Sequence, residues 1–277
     1  MNSINCKGKL LSLDEPVVMG IINATPDSFY EGHLNISTNH LLTLAGKMIT
    51  DGASILDIGG LSTRPGSQSV SIQEETDRAV PVIERIHAVY PEIILSIDTY
   101  NSNVAKAAVS AGAAIINDIS GGNLDMDMIP TAAFLDVPYV CMHMKGTPAT
   151  MQQEAGYKNV VKEVLDFFIA KVDVCKKAGI KDVIIDPGFG FAKNIEHNFQ
   201  LLKELTLLKI TGKPILAGLS RKSTIYKTLG ITAAEALNGT TVLNTIALMN
   251  GASILRVHDV NQAVEAIKLF NAYKKTP

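Results

Sequence analysis

Short β-branched apolar runs recur along this chain, and nearly all of them end in a polar residue. They read VVMGIIN to Asn23, SILDIGG to Gly60, IILSIDT to Thr99, AIINDIS to Ser120, YVCMHM to Met144, DVIIDPG to Gly188, ILAGLS to Ser220 and SILRVHD to Asp259. Runs this short and this continuously apolar read as strands of a parallel sheet, buried under helices. Segments with helical spacing lie between them: Glu74 to Val89, with apolar Val80, Ile83 and Ile86 on one face, then Val160 to Lys177 and Asn261 to Tyr273. The beat averages about 33 residues, close to the roughly 30 or more of a βαβ unit.

Eight strands, each followed by a helix, is the count of a barrel. A length of 277 residues allows either two small domains or one α/β barrel, which fills about 250 residues as a single domain. A doubly wound sheet is the competing topology. No linker rich in Pro, Gly or Ser divides the chain into halves. The expectation is therefore α/β, a single-domain (β/α)8 TIM barrel over residues 1–277.

Charge and cysteine usage exclude several function classes. Lys plus Arg number 25 against 27 acidic residues, a net of −2. With no basic excess to neutralise a phosphate backbone, no nucleic-acid partner is expected. Cys6, Cys141 and Cys175 are odd in number and far apart, which suits neither a disulfide framework nor a zinc knuckle and points to a reducing compartment. The segment MNSINCKGKLLSLDEPVV has no unbroken apolar stretch like that of a signal peptide. No apolar run approaches the roughly 18 residues of a membrane span. A cytoplasmic protein without membrane partners is the expectation.

The longest irregular stretches, Thr25 to Asn39, Leu61 to Ile72 and Lys145 to Tyr157, follow the first, second and fifth runs. Loops of about twelve or more residues are uncommon unless functional. In a barrel all three emerge at the C-terminal ends of the strands, where barrel active sites sit. The polar residues at that face are Asn23, Asp57, Asp98, Asn117, Asp118, His143, Asp186, Lys222, Arg256 and His258. Any one Asp or Asn after a strand can be only a helix cap or a turn former, and Asp57 and Asp118 suit that reading. A whole set converging from separate strands suggests a pocket.

Two chemistries are readable in the set. Asp98, Asn117 and Asp186 combine two carboxylates with an amide, which suits a flat heterocycle whose edge offers N–H groups beside a carbonyl. The same oxygens also suit Mg²⁺, and a salt bridge within the rim is a third account of the two carboxylates. Ser220-Arg221-Lys222-Ser223, Arg256 and His258 end the last two runs. That is where barrels commonly hold phosphate. Arg64 adds a second guanidinium on the loop after the second run.

These residues stand in motifs that resemble the dihydropteroate synthase family of pterin-binding barrels. The segment Gly20-Ile21-Ile22-Asn23-Ala24-Thr25-Pro26-Asp27-Ser28-Phe29 is similar to the family's first signature. Asp57-Ile58-Gly59-Gly60-Leu61-Ser62-Thr63-Arg64-Pro65-Gly66 is similar to its second. Ser96-Ile97-Asp98-Thr99, Asn117 to Gly122, Met142-His143-Met144, Asp186 to Phe191, Ser220 to Ser223 and Arg256 to Val260 follow in the family's order. The resemblance spans about residues 17–275.

The resemblance implies a transferase of folate biosynthesis. It would join 6-hydroxymethyl-7,8-dihydropterin diphosphate to 4-aminobenzoate, with Mg²⁺ as cofactor and a homodimer as the assembly. Carried over motif by motif, it implies pterin binding by Asp98, Asn117, Asp186 and Lys222. It implies diphosphate binding by Asn23, Thr63, Arg64, Arg256 and His258, and a 4-aminobenzoate pocket of Phe29, Thr63, Pro65 and Ser223. Asn23 would ligate Mg²⁺, and Asp98, Lys222, Arg256 and His258 would carry the chemistry. Two departures stand out: Leu61 where the family often has an acidic residue, and Glu31-Gly32-His33 in place of the commoner Asp-Gly-Gly. Rival readings are a corrinoid-dependent methyltetrahydrofolate methyltransferase, an aldolase using Lys222 as a Schiff-base nucleophile, and a catalytically silent pterin-binding protein.

Overall fold

Eight parallel strands close into one barrel, the topology expected from the beat of the sequence rather than its doubly wound competitor. The computed structural model describes residues 3–25, 34–61, 70–151 and 153–277, with side chains after the first break described from residue 39. The barrel strands are β3 (Val17–Asn23), β4 (Ile55–Gly59), β5 (Ile94–Asp98), β6 (Ile115–Asp118), β7 (Tyr139–Met142), β8 (Val183–Asp186), β9 (Leu216–Ala217) and β10 (Ile254–Val257). Their order around the sheet is β8-β7-β6-β5-β4-β3-β10-β9, every pair parallel. A bridge between Ile185 and Ile215, with Ile185 N–H donating to the Pro214 carbonyl at 3.0 Å, joins the two ends and closes the ring. Closure removes both sheet edges.

The helices form the outer layer: α1 (Leu34–Thr50), α2 (Ile72–Val89), α3 (Ser102–Ser110), α4 (Met128–Leu135), α5 (Val160–Ala178), α6 (Ile195–Lys203), α7 (Ser223–Leu229), α8 (Leu237–Met249) and α9 (Val260–Lys275). A 3₁₀ turn at Leu205–Thr211 precedes β9, and β9 is followed by both α7 and α8. Ser71 caps α2 by accepting from the Glu74 N–H, and Asn159 caps α5 by accepting from the Lys162 N–H. Outward-facing strand residues such as Ile22, Ile58, Ile97, Ile116 and Ile185 pack against this layer as the main core. In α2 the buried face is Ala79, Val82, Ile83 and Ile86, with Val80 only half-buried. The face is thus rotated from the expected Val80–Ile83–Ile86 line. Helix α1 begins at Leu34, before the expected Asn39. The Asn-Ile-Ser-Thr-Asn stretch has weak helix propensity, a prior that the rest of the fold overrides.

Period-two alternation divides the barrel interior into layers. The floor is Met19, Ile55, Ile94, Ile115, Val140, Ile184, Leu216 and Ile254. Below it lies a hairpin, β1 (Ser3–Cys6) and β2 (Lys9–Ser12), whose Ile4 and Cys6, with Leu13, plug the bottom. Its two-residue turn, Lys7-Gly8, has φ of 52° and 91° at both positions, the positive pair that tight hairpins favour. Two residues further up each strand the interior turns polar: Asp57, Ser96, Asn117, Asp186 and Arg256 stand beside Ile21, Met142 and Gly218. The apolar floor leaves the chemistry only one exit, the C-terminal mouth. The three cysteines are buried and unpaired. No helix among the described residues is long and apolar enough to cross a membrane.

Candidate active site

The mouth holds an open pocket lined by Asp98, Asn117, Ile119, Met142, Asp186, Phe191, Gly218, Lys222 and Arg256. Asp98, Asn117, Asp186 and Lys222, expected as the pterin set, therefore come together, and Arg256, expected on the diphosphate side, joins them. They do so because each stands on the inward parity of its strand, or, for Lys222, at the cap of α7 above β9. Apolar Ile119, Met142 and Phe191 give the cavity walls that a flat ring can lie between. Ile119 and Phe191 carry no polar atom on their side chains and so escape a search for chemistry. Their signal is position, Ile119 directly after β6 and Phe191 in the loop after β8.

Arg256 reaches across the barrel. Its Nε donates to Asp57 Oδ2 at 2.6 Å and a terminal nitrogen donates to Asp98 Oδ2 at 2.6 Å. The guanidinium therefore lies between two carboxylates. The rim salt bridge thus exists for Asp98. Burial alone would lower the Arg256 value, but Asp57 and Asp98 outweigh it and hold the guanidinium firmly charged. Burial pushes Asp98 from 3.8 up to about 7, against the pull of Arg256 and with the help of Asp57. Asp186 is likewise raised by burial, opposed by Lys222 and by the Gly188 N–H, which donates to it at 2.7 Å. Burial lowers Lys222 to about 8, with Asp186 acting the other way. Its Nζ donates to the Phe189 carbonyl and lies 4.8 Å from the Phe191 ring centre.

The loop after β8 that carries Phe189 and Phe191 is pinned from behind by Lys193. Its buried Nζ lies 3.0 Å from His143 Nδ1 and donates to the carbonyls of His143, Gly188 and Phe191 at 3.0–3.2 Å. Burial drives Lys193 well below its ordinary value. Burial, then Lys193, takes His143 down to about 2, so the ring is neutral. His143 stacks edge-on against Phe167 and faces away from the cavity. Asp118 also stands outside the cavity. It accepts from Ser120 N–H, Ser120 Oγ, Gly122 N–H and Tyr139 OH, all at 2.7 Å, which is the turn-forming role. Asp57, the other capping candidate, is instead an interior residue that holds Asn117 and Arg256.

At the rim, Ser220 Oγ accepts the His258 N–H at 3.2 Å and lies 3.0 Å from His258 Nδ1. A hydroxyl that accepts at its oxygen can still donate its proton toward Nδ1. His258 itself stands exposed at the mouth. Arg221 is committed elsewhere: it forms a two-point pair with Asp259 at 2.8 and 2.9 Å and donates to the Ala233 and Ala234 carbonyls. It ties the loops after β9 and β10 together. Ser223 opens α7, half-buried, and Asn23 ends β3, exposed at the rim. Phe29, Thr63, Arg64 and Pro65 lie outside the described residues, as do Glu31, Gly32 and His33. Leu61 is half-buried at the start of its loop.

Residues 19–258 match the family described as pterin binding enzyme. The dihydropteroate synthase of Escherichia coli (strain K12) is 42% identical over 268 residues, 96% of this chain and 94% of that protein. The structure of Xanthomonas albilineans dihydropteroate synthase with 4-aminobenzoic acid superposes with a TM-score of 0.93 at 40% identity, covering 99% of both chains. A second structure of that enzyme, in complex with 7,8-dihydropteroate, gives 0.89 at 37% identity over 99% of this chain and all of the other.

Proposed function

This chain belongs to the pterin-binding enzyme family, and from that premise we propose the reaction its mouth performs. It transfers the 7,8-dihydropterin-6-ylmethyl group from 6-hydroxymethyl-7,8-dihydropterin diphosphate to 4-aminobenzoate, releasing diphosphate, in folate biosynthesis. Family membership alone leaves a methyltetrahydrofolate methyltransferase open. Relatives that are dihydropteroate synthases at 42% identity over nearly the whole chain favour the synthase. The observation that carries the reading is the acceptor wall of Asp98, Asn117 and Asp186, set between Met142 and Phe191 with Lys222 and Arg256 at its edge.

The pterin's N–H edge would lie on Asp98, Asp186 and the Asn117 carbonyl oxygen, with Lys222 donating to the ring's acceptors. Departure of diphosphate from the methylene leaves a resonance-stabilised cation. The carboxylates Asp98 and Asp186 stabilise it, while Arg256, Arg64, Thr63 and His258 take up the negative charge growing on the leaving oxygens. Arg256 is suited to this because its guanidinium, held by Asp57 and Asp98, lines the cavity. The amine of 4-aminobenzoate, held by Phe29, Thr63, Pro65 and Ser223, then attacks the methylene carbon and loses its proton. No covalent enzyme intermediate is required.

Mg²⁺ fits this donor set only in partnership with substrate. Among the described residues no cluster of three acidic, His or Cys side chains could hold a metal, whereas Asn23 puts one amide oxygen at the rim. Mg²⁺ is habitually held by one or two protein oxygens together with substrate phosphates and water. Bound there, it would neutralise charge on the diphosphate. The same reading includes a homodimer and a cytoplasmic location. The test is diphosphate release on mixing the pterin diphosphate, 4-aminobenzoate and Mg²⁺, against the same mixture without the amine. Amine-dependent release supports the reading, and equal release in both mixtures overturns it.

A further inference from the structure

Among the described residues, Asp57 is the carboxylate on an inward strand position that neither lines the cavity nor forms a turn. Its side chain is fully buried. Its Oδ2 takes two donors, Asn117 Nδ2 at 2.9 Å and Arg256 Nε at 2.6 Å, while its Oδ1 is buried without a partner. We propose that Asp57 is a positioning residue that sets the hydrogen-bonding polarity of the pterin pocket, acting through the Asn117 amide. The proposal rests on the pterin reading of the cavity.

An asparagine amide has the same shape in either orientation, and only its partners choose between them. The oxygen facing Asn117 already accepts from Arg256, so it presents acceptor character, and the Asn117 NH₂ must turn toward it. Asn117 Oδ1 is thereby the end directed away from Asp57, in a residue that lines the cavity. With Asp98 and Asp186 it completes a wall of acceptors, the complement of a ligand edge rich in N–H groups. Released from Asp57, the amide can reverse and set a donor against that edge. Holding Nε also fixes the plane of Arg256, so that its terminal nitrogens reach Asp98 and the mouth.

The geometry distinguishes an acceptor oxygen at position 57 from a charge there. One oxygen serves both donors, so the amide oxygen of Asp57→Asn can take the place of Oδ2 and keep both bonds. Asp57→Ala cannot. The experiment measures binding of 6-hydroxymethyl-7,8-dihydropterin by calorimetry, alongside the melting temperature of each variant. Asp57→Ala should weaken binding about 10- to 100-fold, the usual effect of orphaning buried polar partners. In that background Asn117→Ala should cost less than about twofold more, although alone it costs about tenfold, because acting through one amide makes the losses non-additive. Asp57→Asn should bind within about threefold of the wild type. A merely structural Asp57 gives the opposite pattern: a lower melting temperature with unchanged affinity, or losses that multiply. Either overturns the proposal. Should Asp57→Ala not fold, a loss beyond about tenfold in Asp57→Asn overturns it equally, since that variant retains the oxygen. A wild-type chain that does not bind the pterin would sink the pterin reading itself.

Discussion

Replacing Asp98 by asparagine should make the free protein more stable and the liganded one weaker. Burial holds the Asp98 carboxyl at about 7 against an ordinary 3.8. A carboxyl whose value is higher in the folded chain than in the unfolded one takes up a proton on folding. Its stabilising contribution is complete below about pH 4 and is lost as the pH rises through about 7. At pH 8 the ionised group therefore costs the fold up to about 4 kcal/mol, at about 1.4 per pH unit. Asp98→Asn removes that cost but also takes one counter-ion from Arg256, which keeps Asp57. We expect a net gain of about 1–3 kcal/mol at pH 8, or roughly 3–8 °C in Tm for a chain of this size. Thermal melts of wild type and variant at pH 5 and pH 8 read it directly. The wild type should lose more stability between the two pH values than the variant does. The same variant should bind 6-hydroxymethyl-7,8-dihydropterin about 10- to 100-fold more weakly, having lost a charged acceptor. A variant that melts no higher than wild type at pH 8, with the same pH dependence, would refute the reasoning.

Arg256→Ala should lower single-turnover rates at saturating pterin diphosphate by about 10²–10³, the range for losing one donor to developing negative charge; unchanged rates would count against its role. Lys193→Met should cost about 2–4 kcal/mol in urea unfolding, because the His143, Gly188 and Phe191 carbonyls lose their common donor. A loss below about 1 kcal/mol would mean that other donors satisfy those carbonyls. Gly188→Ala should cost about 3 kcal/mol or more, since Gly188 has a φ of 68° and an added Cβ would overlap the His143 carbonyl. A variant as stable as wild type would show that the turn relaxes freely.

The barrel was legible because its strands are buried on both faces, which makes them short, apolar and regularly spaced. The bottom hairpin was not. Ser3–Cys6 and Lys9–Ser12 are four residues each, and their burial comes from the floor they plug rather than from a periodic pattern of their own. At the site, position along the strand found the residues but not their direction. Asp57-Ile-Gly-Gly and Asp118-Ile-Ser-Gly-Gly look alike locally. Asp57 stands two residues above floor residue Ile55 and points in, whereas Asp118 follows inward Asn117 and points out to Tyr139. His143, one past inward Met142, is turned away by the same parity. Strand parity separates such pairs once the floor is known. The reach of Arg256 across the barrel to Asp57 and Asp98 is a tertiary fact that residue types alone do not carry.

The most direct test of the account is to quantify both products of one reaction. Purified chain with pterin diphosphate, 4-aminobenzoate and Mg²⁺ should form 7,8-dihydropteroate and diphosphate in equal amounts by chromatography, and neither product when a substrate is omitted. Diphosphate without dihydropteroate, or no dihydropteroate at all, would contradict it.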